Sequence, residues 1–510
     1  MQYLTVLNAL VVQAAIGLVS HTIFKVYEPF RLLPVAILVF VVPAILSILL
    51  LAHFSVLYSL LISFVSYYTT LLTSIVIYRL GPFHPLAKYP GPLLCKLSMI
   101  HMAIVTFGGS RHEYIRKLHE QDGDIVRIGP NEVSIRDVSA VAPLMGASGM
   151  PKGPMWVGRC LLIPELPLIA QQDSAEHLHR RKPWNRAFNT EALKAYEPVV
   201  AERVTQFVHI LKGKIGVADL AQVLNAFSFD VTSDTSFGGG SNMLRDGDVE
   251  KFRSLMDAAM RMSVIFENLP WLQSMNRQNN EDGADLAFHV VLDDAVLAVI
   301  AGSESTASAM SNALFFVMRD PDVYTKLKAE VDMHYPQGTN ACDTRHYGKM
   351  VYLDAVLNEA MRLYPPDLSG SQRALMRGTG GKYVGPYFIP EGTAARVHSF
   401  SLGRDPRHFS PLPDTFWPDR WLLADSDDAE KNADFIHDTN AFLPFSFGPA
   451  SCVGKDLAMM TMRMLLCSCV QQLELTLAGH LVDDPGRWER ELKDYFILDK
   501  GKLPVVVKSR

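Results

Sequence analysis

Phe445-Ser446-Phe447-Gly448-Pro449-Ala450-Ser451-Cys452-Val453-Gly454 is the stretch on which the reading of this chain turns. A glycine follows Phe445 by three positions, a cysteine comes four later, and a second glycine two beyond that, ahead of a helical run from Lys455. Glycine at 448 and 454 permits turns and close approaches that a Cβ blocks. Phe445 offers an apolar wall. Cys452 sits just before a helix start, where unpaired N–H groups and the helix dipole favour a thiolate over a thiol. A lone cysteine so framed suits axial ligation of haem iron, because a thiolate pushes electron density toward bound oxygen and favours O–O cleavage. The plainer alternative is a buried free cysteine, the commonest fate of one cysteine, but that role does not call for the flanking glycines and aromatic.

The chain has 510 residues, 49% of them hydrophobic, and a formal net charge of −5, so no excess of positive charge points to nucleic acid. Its six cysteines (Cys95, Cys160, Cys342, Cys452, Cys467, Cys469) form no paired framework and no zinc spacing. That argues against a disulfide scaffold and for a catalytic part in a reducing compartment.

Apolar residues concentrate at the N-terminus. Leu4–Phe24 is broken only by Gln13, His21 and a few small polar residues, Leu32–Leu51 has no charge, and none occurs over Phe54–Tyr78. About 20 apolar residues cross a bilayer as a helix, and these runs are too long and too many for a cleaved signal peptide. Lys25 and Arg31 flank the first connection and Arg79 and Lys88 follow the third run. Three spans (about 4–24, 32–51 and 54–78) with everything after residue 79 in the cytosol satisfy the positive-inside rule. Fewer spans, with the first run at the interface or the last two as a hairpin, is the rival arrangement. The proline-rich segment 81–92 (Gly81-Pro-Phe-His-Pro85, Tyr89-Pro-Gly-Pro92) then reads as a stiff hinge between a 1–80 anchor and a 93–510 catalytic domain.

Within that domain Ile125–Ile135 reads as a hairpin turning at Gly129-Pro130-Asn131. His177–Phe188 places several cations and Trp184 on one helix, which could grip an anion or simply be a solvated basic face. Phe229–Phe237 reads as a helix stopped by Gly238. Val291–Arg319 reads as one long helix, with Asp293 or Asp294 near its start and Asp320-Pro321 ending it. Its middle, Ala301-Gly-Ser-Glu-Ser-Thr306, combines small residues that let a helix pass a flat ligand with an acid and hydroxyls able to relay protons. A glycine-kinked helix with incidental Ser and Thr is the plain reading of the same residues. Glu359 and Arg362 lie three apart on one helix face, an ordinary pair when taken alone. Gly385–Gly392 reads as a short β-hairpin. The helix after Cys452, taken as Lys455–Leu475, carries a methionine stripe that reads as core filling. Lys455 and Arg463 are candidates to face an acidic electron donor.

In this order the cysteine loop, Ala301–Thr306, Glu359-x-x-Arg362 and Phe416-Trp-Pro-Asp-Arg420-Trp resemble the cytochromes P450, the haem-thiolate monooxygenases, over about residues 80 to 510. The resemblance implies a mainly α fold with a small β region behind a membrane anchor. It implies haem b with Cys452 as axial ligand, cradled by Phe445, Gly448 and Gly454. Arg181 and Arg373 correspond to propionate-binding arginines, and Glu304, Ser305 and Thr306 to the proton-handling group. Glu359, Arg362 and Arg420 correspond to a structural Glu–Arg–Arg set. NADPH electrons then arrive through a membrane-bound reductase, with cytochrome b5 as an optional second donor, on the cytosolic face of the endoplasmic reticulum. The implied reaction inserts one oxygen atom into a lipophilic small molecule. The wording of the loops resembles fungal members, which points to secondary metabolism such as terpenoid biosynthesis.

The chain departs from the family's pattern at four places. His177 replaces the aromatic four before Arg181, Ser305 replaces the usual threonine, and Ala450 replaces the usual Arg or His two before the cysteine. The chain is also short by a few dozen residues between about 272 and 290, where relatives build the pocket roof. Two alternatives therefore stand beside monooxygenation. One is a haem-binding pseudoenzyme; the other is a haem-thiolate isomerase or dehydratase that needs no reductase.

Overall fold

The computed structural model describes residues 4–27, 32–160, 166–248, 251–269, 286–424, 426 and 434–510. Most of the stretch expected to be shortened lies outside the described residues.

Three N-terminal helices are long and apolar enough to cross a membrane: α1 (Val6–Tyr27), α2 (Leu33–Leu50) and α3 (Val56–Leu80). Apolar surroundings force every backbone polar group to find a partner within the protein. Pro43 has no N–H to give to Val39, and the turn before it widens to a π-helix over Ile37–Val41. Tyr68 of α3 donates its hydroxyl to the freed Val39 carbonyl at 2.6 Å, and Tyr67 donates to Leu38 at 2.7 Å. Ser63 answers the Pro43 carbonyl at 2.6 Å. The polar side chains of this apolar run thus staple α3 to an irregular α2.

The proline-rich segment is not a free spacer. Leu86 and Tyr89 are buried in the β-region core, and Tyr89 donates its hydroxyl to the Phe388 carbonyl at 2.7 Å. Gly91 takes φ +148°, and a Cβ there would lie 2.3 Å from the Arg127 carbonyl oxygen. Prolines make this stretch stiff, but its apolar side chains fasten it to the following sheet.

The remaining helices used below are α4 (Arg111–Asp122), α5 (Ser174–Ala187), α6 (Thr190–Lys212), α7 (Leu220–Phe237), α8 (Phe252–Asn268), α9 (Leu286–Arg319), α10 (Val351–Leu363) and α11 (Lys455–Gln472). One apolar core joins α6, α7, α9, α10 and α11. The methionines of α11 (Met459, Met460, Met462, Met464) lie inside it, as their pattern predicts. Gly238 closes α7 in the left-handed region at φ 75°. Two boundaries differ from the sequence reading. α9 begins at Leu286 rather than Val291. α11 ends at Gln472 rather than Leu475, because Leu473–Leu477 pairs antiparallel with the C-terminal strand Pro504–Ser509 and sheet hydrogen bonds replace helical ones.

The strands used below are β1 (Ile125–Gly129), β2 (Glu132–Ile135), β3 (Val217–Asp219), β4 (Arg373–Ala374), β5 (Ala394–Val397), β6 (Leu473–Leu477) and β7 (Pro504–Ser509), and Lys382–Val384 pairs with Tyr387–Ile389 as a further short hairpin. β1 and β2 form the expected hairpin, and the larger sheet runs β1-β2-β5-β4. Strand β4 carries Arg373 opposite Ala395, and Lys152 bridges to Arg373 from a separate loop.

Glu359 lies at the heart of a fully buried polar group. Its carboxylate accepts from Arg362 Nη2 at 2.8 Å, Arg420 Nε at 3.0 Å, the Trp417 N–H at 3.0 Å and Trp421 Nε1 at 3.0 Å. Arg362 and Arg420 spend their other donors on the carbonyls of Gly403, Pro413, Pro411 and Leu412. Burial alone would raise the Glu359 carboxyl, and the two guanidiniums outweigh it and hold it below the usual range. The set fixes residues 411–421 against α10.

Candidate active site

Between α5, α7, α9, α11 and the loops lies a cavity of about 330 Å³. Cys452, Phe445, Gly454 and Ala450 form one wall, and Ala298, Ala301, Gly302, Ser305 and Thr306 of α9 form another. Trp156, Leu168, Ile169, Phe496 and Ile497 close the apolar remainder. Asp294 of α9 accepts from the Leu168 N–H at 2.7 Å and from Arg180 Nη2 at 3.0 Å, tying this loop to both helices.

The cysteine loop is set by backbone. The Cys452 N–H donates to the Phe445 carbonyl at 2.9 Å, closing the turn on itself. Gly448 takes φ +75°, and a Cβ there would stand 2.2 Å from the Met145 carbonyl oxygen, so both conformation and space demand glycine. Gly454 is different. An added Cβ would meet only Phe188 Cε1 at 3.6 Å, an ordinary contact, so no protein atom excludes a side chain there.

Cys452 is exposed and lines the cavity. Burial pushes its thiol up, against the Gly454 N–H and the Arg181 and Lys455 cations, which pull it down. The helix start thus does not by itself outweigh desolvation, contrary to the expectation from sequence. A coordinating cation deprotonates a thiol outright.

Cations gather at one side. Arg181 donates to the Ser451 carbonyl at 2.8 Å and to Asn185 Oδ1 at 2.9 Å, bracing the cysteine loop from α5. Arg373 is 5% exposed, and its Nε and Nη2 have no hydrogen-bond partner. Burial pulls its guanidinium down to about 10. Lys152 reaches the cavity wall at 6% exposure, with its ammonium 4.5 Å over the Trp156 ring, and burial pulls it well below the lysine range. His177 joins them, pulled down to about 4 by burial and then by Lys152, Arg181 and Arg373. A buried arginine with two orphaned donors, beside a lysine and a second arginine, lacks anions. The two carboxylates of haem b fit that need, and Cys452 on the same cavity fits its iron.

The α9 residues divide between two sides. Ser305 and Thr306 face the cavity. Ser305 donates its hydroxyl to the Ala301 carbonyl at 2.5 Å, within the helix. Glu304 lies outside the wall, its Oε2 3.9 Å from Lys500 Nζ. That ammonium also donates to Asn225 Oδ1 of α7 at 2.8 Å and Ser308 Oγ at 3.1 Å. Gly302, read as a pass for a flat ligand, is held to glycine by protein: its Cβ would lie 2.8 Å from Thr232 Oγ1 of α7. Arg463, offered to an electron donor, is occupied by Asp354 at 2.6 and 2.8 Å, which leaves Lys455 exposed beside the loop. Lys152 and Asp367 on the wall have no motif in the sequence. Only the β-bridge of Lys152 to Arg373 brings the lysine in.

The family described as Cytochrome P450 matches residues 88–281 and 270–488. The two matches overlap at 270–281, in the stretch where the sequence reads as shortened. A cytochrome P450 monooxygenase of Fusarium pseudograminearum is 30% identical over 485 residues, covering 86% of this chain and 85% of the relative. One of Hypoxylon pulicicidum is 30% identical over 457 residues (82% and 81%), and one of Penicillium fellutanum 28% over 483 (86% and 82%). The chain belongs to the cytochrome P450 family. Within it, the chain is a monooxygenase of the kind found in fungi, with three N-terminal helices long and apolar enough to cross a membrane.

Proposed function

We propose that this chain oxidises a lipophilic small molecule in fungal secondary metabolism, terpenoid biosynthesis being the leading pathway class. The reading places residues 1–80 in the endoplasmic reticulum membrane and the domain from residue 93 on its cytosolic face, drawing NADPH electrons from a reductase. The observation that carries it is the shared cavity of Cys452, Ser305 and Thr306, lined also by Arg181 and Lys152, with the orphaned donors of Arg373 on the strand bridged to Lys152.

In this reading Cys452 holds the iron of haem b, and Arg373, Arg181 and Lys152 answer its carboxylates. When bound, thiolate-ligated haem supplies the oxygen-activating chemistry. Phe445 and the apolar residues about Phe496 keep water from the cavity. Ser305 and Thr306 hold a proton at the cavity wall, and Glu304 draws protons from the side of Lys500 and Ser308. The Ser305 hydroxyl must leave the Ala301 carbonyl to serve. Serine, lacking threonine's methyl, rotates for this readily but is also less firmly placed.

The test uses membranes holding the full chain and a fungal reductase, incubated with labelled dioxygen and NADPH over a panel of terpenoid alcohols, hydrocarbons and lipophilic amines. One labelled atom per product, absent in Cys452→Ala, is expected. Product formed equally without NADPH would replace monooxygenation by isomerisation or dehydration, and haem binding with no product would favour the pseudoenzyme.

A further inference from the structure

Asp367 is the one carboxylate among the described residues that line the cavity, whose other walls are apolar, hydroxyl-bearing or cationic. It follows Pro366 in the loop after α10. One of its oxygens, Oδ1, accepts from the Gly370 N–H at 3.0 Å, which braces a turn where Gly370 takes φ +76°. The other accepts no hydrogen bond among the described residues. Local turn chemistry thus explains one oxygen of a side chain that lines the cavity and leaves the other without a hydrogen bond.

The cations on the protein side are engaged by other acids, although Arg396 Nη1 has no hydrogen-bond partner. Arg111 donates to Asp494 Oδ1 at 2.8 Å and Ser369 Oγ at 3.0 Å, and it also pairs with Glu267. Arg396 pairs with Glu132 at 2.7 Å. Asp494 repels a second negative charge. Burial, then Asp494, push the Asp367 carboxyl up to about 6, with Arg111, the Gly370 N–H and Arg396 opposing. Across the cavity Lys152 forms no ion pair with Asp367, and Lys152 belongs to the cations that haem carboxylates answer. A desolvated carboxylate without a partner is costly, and a cation supplied by a ligand relieves it.

We propose that Asp367 is a substrate-recognition residue for a cationic nitrogen, so that this chain's substrate joins an apolar body to a protonated or quaternary amine. This rests on the haem reading above. The apolar body packs on Trp156, Phe496 and Ile497, and the nitrogen faces Asp367.

The test follows the haem absorption shift as two probes of equal chain length enter the cavity: decyltrimethylammonium, which cannot ligate iron, and decanol. The full chain in detergent is used, and its reduced CO band is recorded first. The ammonium probe is expected to half-saturate at about tenfold lower concentration than the alcohol. In Asp367→Asn the two should agree within about twofold, with decanol unchanged. Survival of the preference in that variant would overturn the proposal. Wild type gives a second arm that needs no variant. The preference should fade as pH falls through about 6, where the carboxyl takes its proton. Asp494, held well below the carboxylate range by Arg111, stays ionised there and Arg111 stays charged, and decanol controls for Lys152 and His177. A preference unchanged from pH about 8 to about 5 would equally overturn it. Wild type with no CO band would remove the haem reading itself, and this inference with it.

Discussion

Gly302 of α9 and Thr232 of α7 approach so closely that a Cβ on the glycine would lie 2.8 Å from the threonine Oγ1 and 2.9 Å from its Cγ2. The missing side chain sets where the two helices cross, and with it where Ser305 and Thr306 meet the cavity. Alanine gains about 1 kcal/mol of helix propensity over glycine, whereas overpacking costs typically 1–3 kcal/mol. Gly302→Ala is therefore expected to lower stability by up to about 2 kcal/mol in denaturant unfolding. Adding Thr232→Ala should recover most of the loss. Additive effects in the double variant would disprove the contact.

Glu359 is satisfied by two buried arginines and by the backbone N–H of Trp417 and the indole of Trp421, both half-buried. Glu359→Gln leaves two guanidiniums without their counter-charge, at a cost of about 3–5 kcal/mol. Loss of soluble folded domain, followed by expression level and near-UV dichroism, is the expected result. A variant with wild-type stability would show that the carbonyls of 411–413 suffice.

His112 and His119 on α4 are both buried, and both are pulled from 6.5 to about 4, mainly by burial. The unfolded chain then binds more protons than the folded one between pH about 6.5 and 4, so stability falls as pH drops through that window. His112 packs edge-on against Phe400 at 4.9 Å and leaves Nδ1 without a partner. His112→Phe should flatten the pH dependence of the unfolding midpoint there. An unchanged slope would assign the acid sensitivity elsewhere.

Much of this was legible beforehand where residues act through local spacing. Glu359 and Arg362 sit one helical turn apart, Gly448 and Cys452 share one short loop, and the apolar runs of the anchor declare themselves by length. Arg420 was legible through its aromatic and proline neighbours. What stayed hidden depends on chain segments meeting at a distance. Lys152 reaches the site through a bridge to Arg373, and Asp367 gains meaning only from the apolar wall around it. The Tyr68 bond to the carbonyl freed by Pro43 likewise joins two helices that no motif connects. The side of α9 that Glu304 takes follows from Lys500, near the far end of the chain.

Arg373 has two buried donors without partners. If haem carboxylates satisfy them, Arg373→Met should release haem to a scavenging globin about tenfold faster, since a charged hydrogen bond is worth about 1.5–3 kcal/mol. Equal release rates would mean that another anion meets this arginine.

Ser305 keeps the hydroxyl expected at its position but lacks the methyl that fixes a rotamer. With NADPH and reductase, Ser305→Thr should lower the share of electrons lost as hydrogen peroxide, and Ser305→Ala should raise it. No difference among the three would move proton handling to Thr306 alone.

The central claim is that Cys452 is a haem-iron ligand. The most direct measurement is the absorption spectrum of reduced, CO-treated membranes holding the full chain beside a Cys452→Ala control. A strongly red-shifted Soret band in the first and none in the second is the predicted result. No such band in the wild-type chain, or an equal band in both, would contradict it.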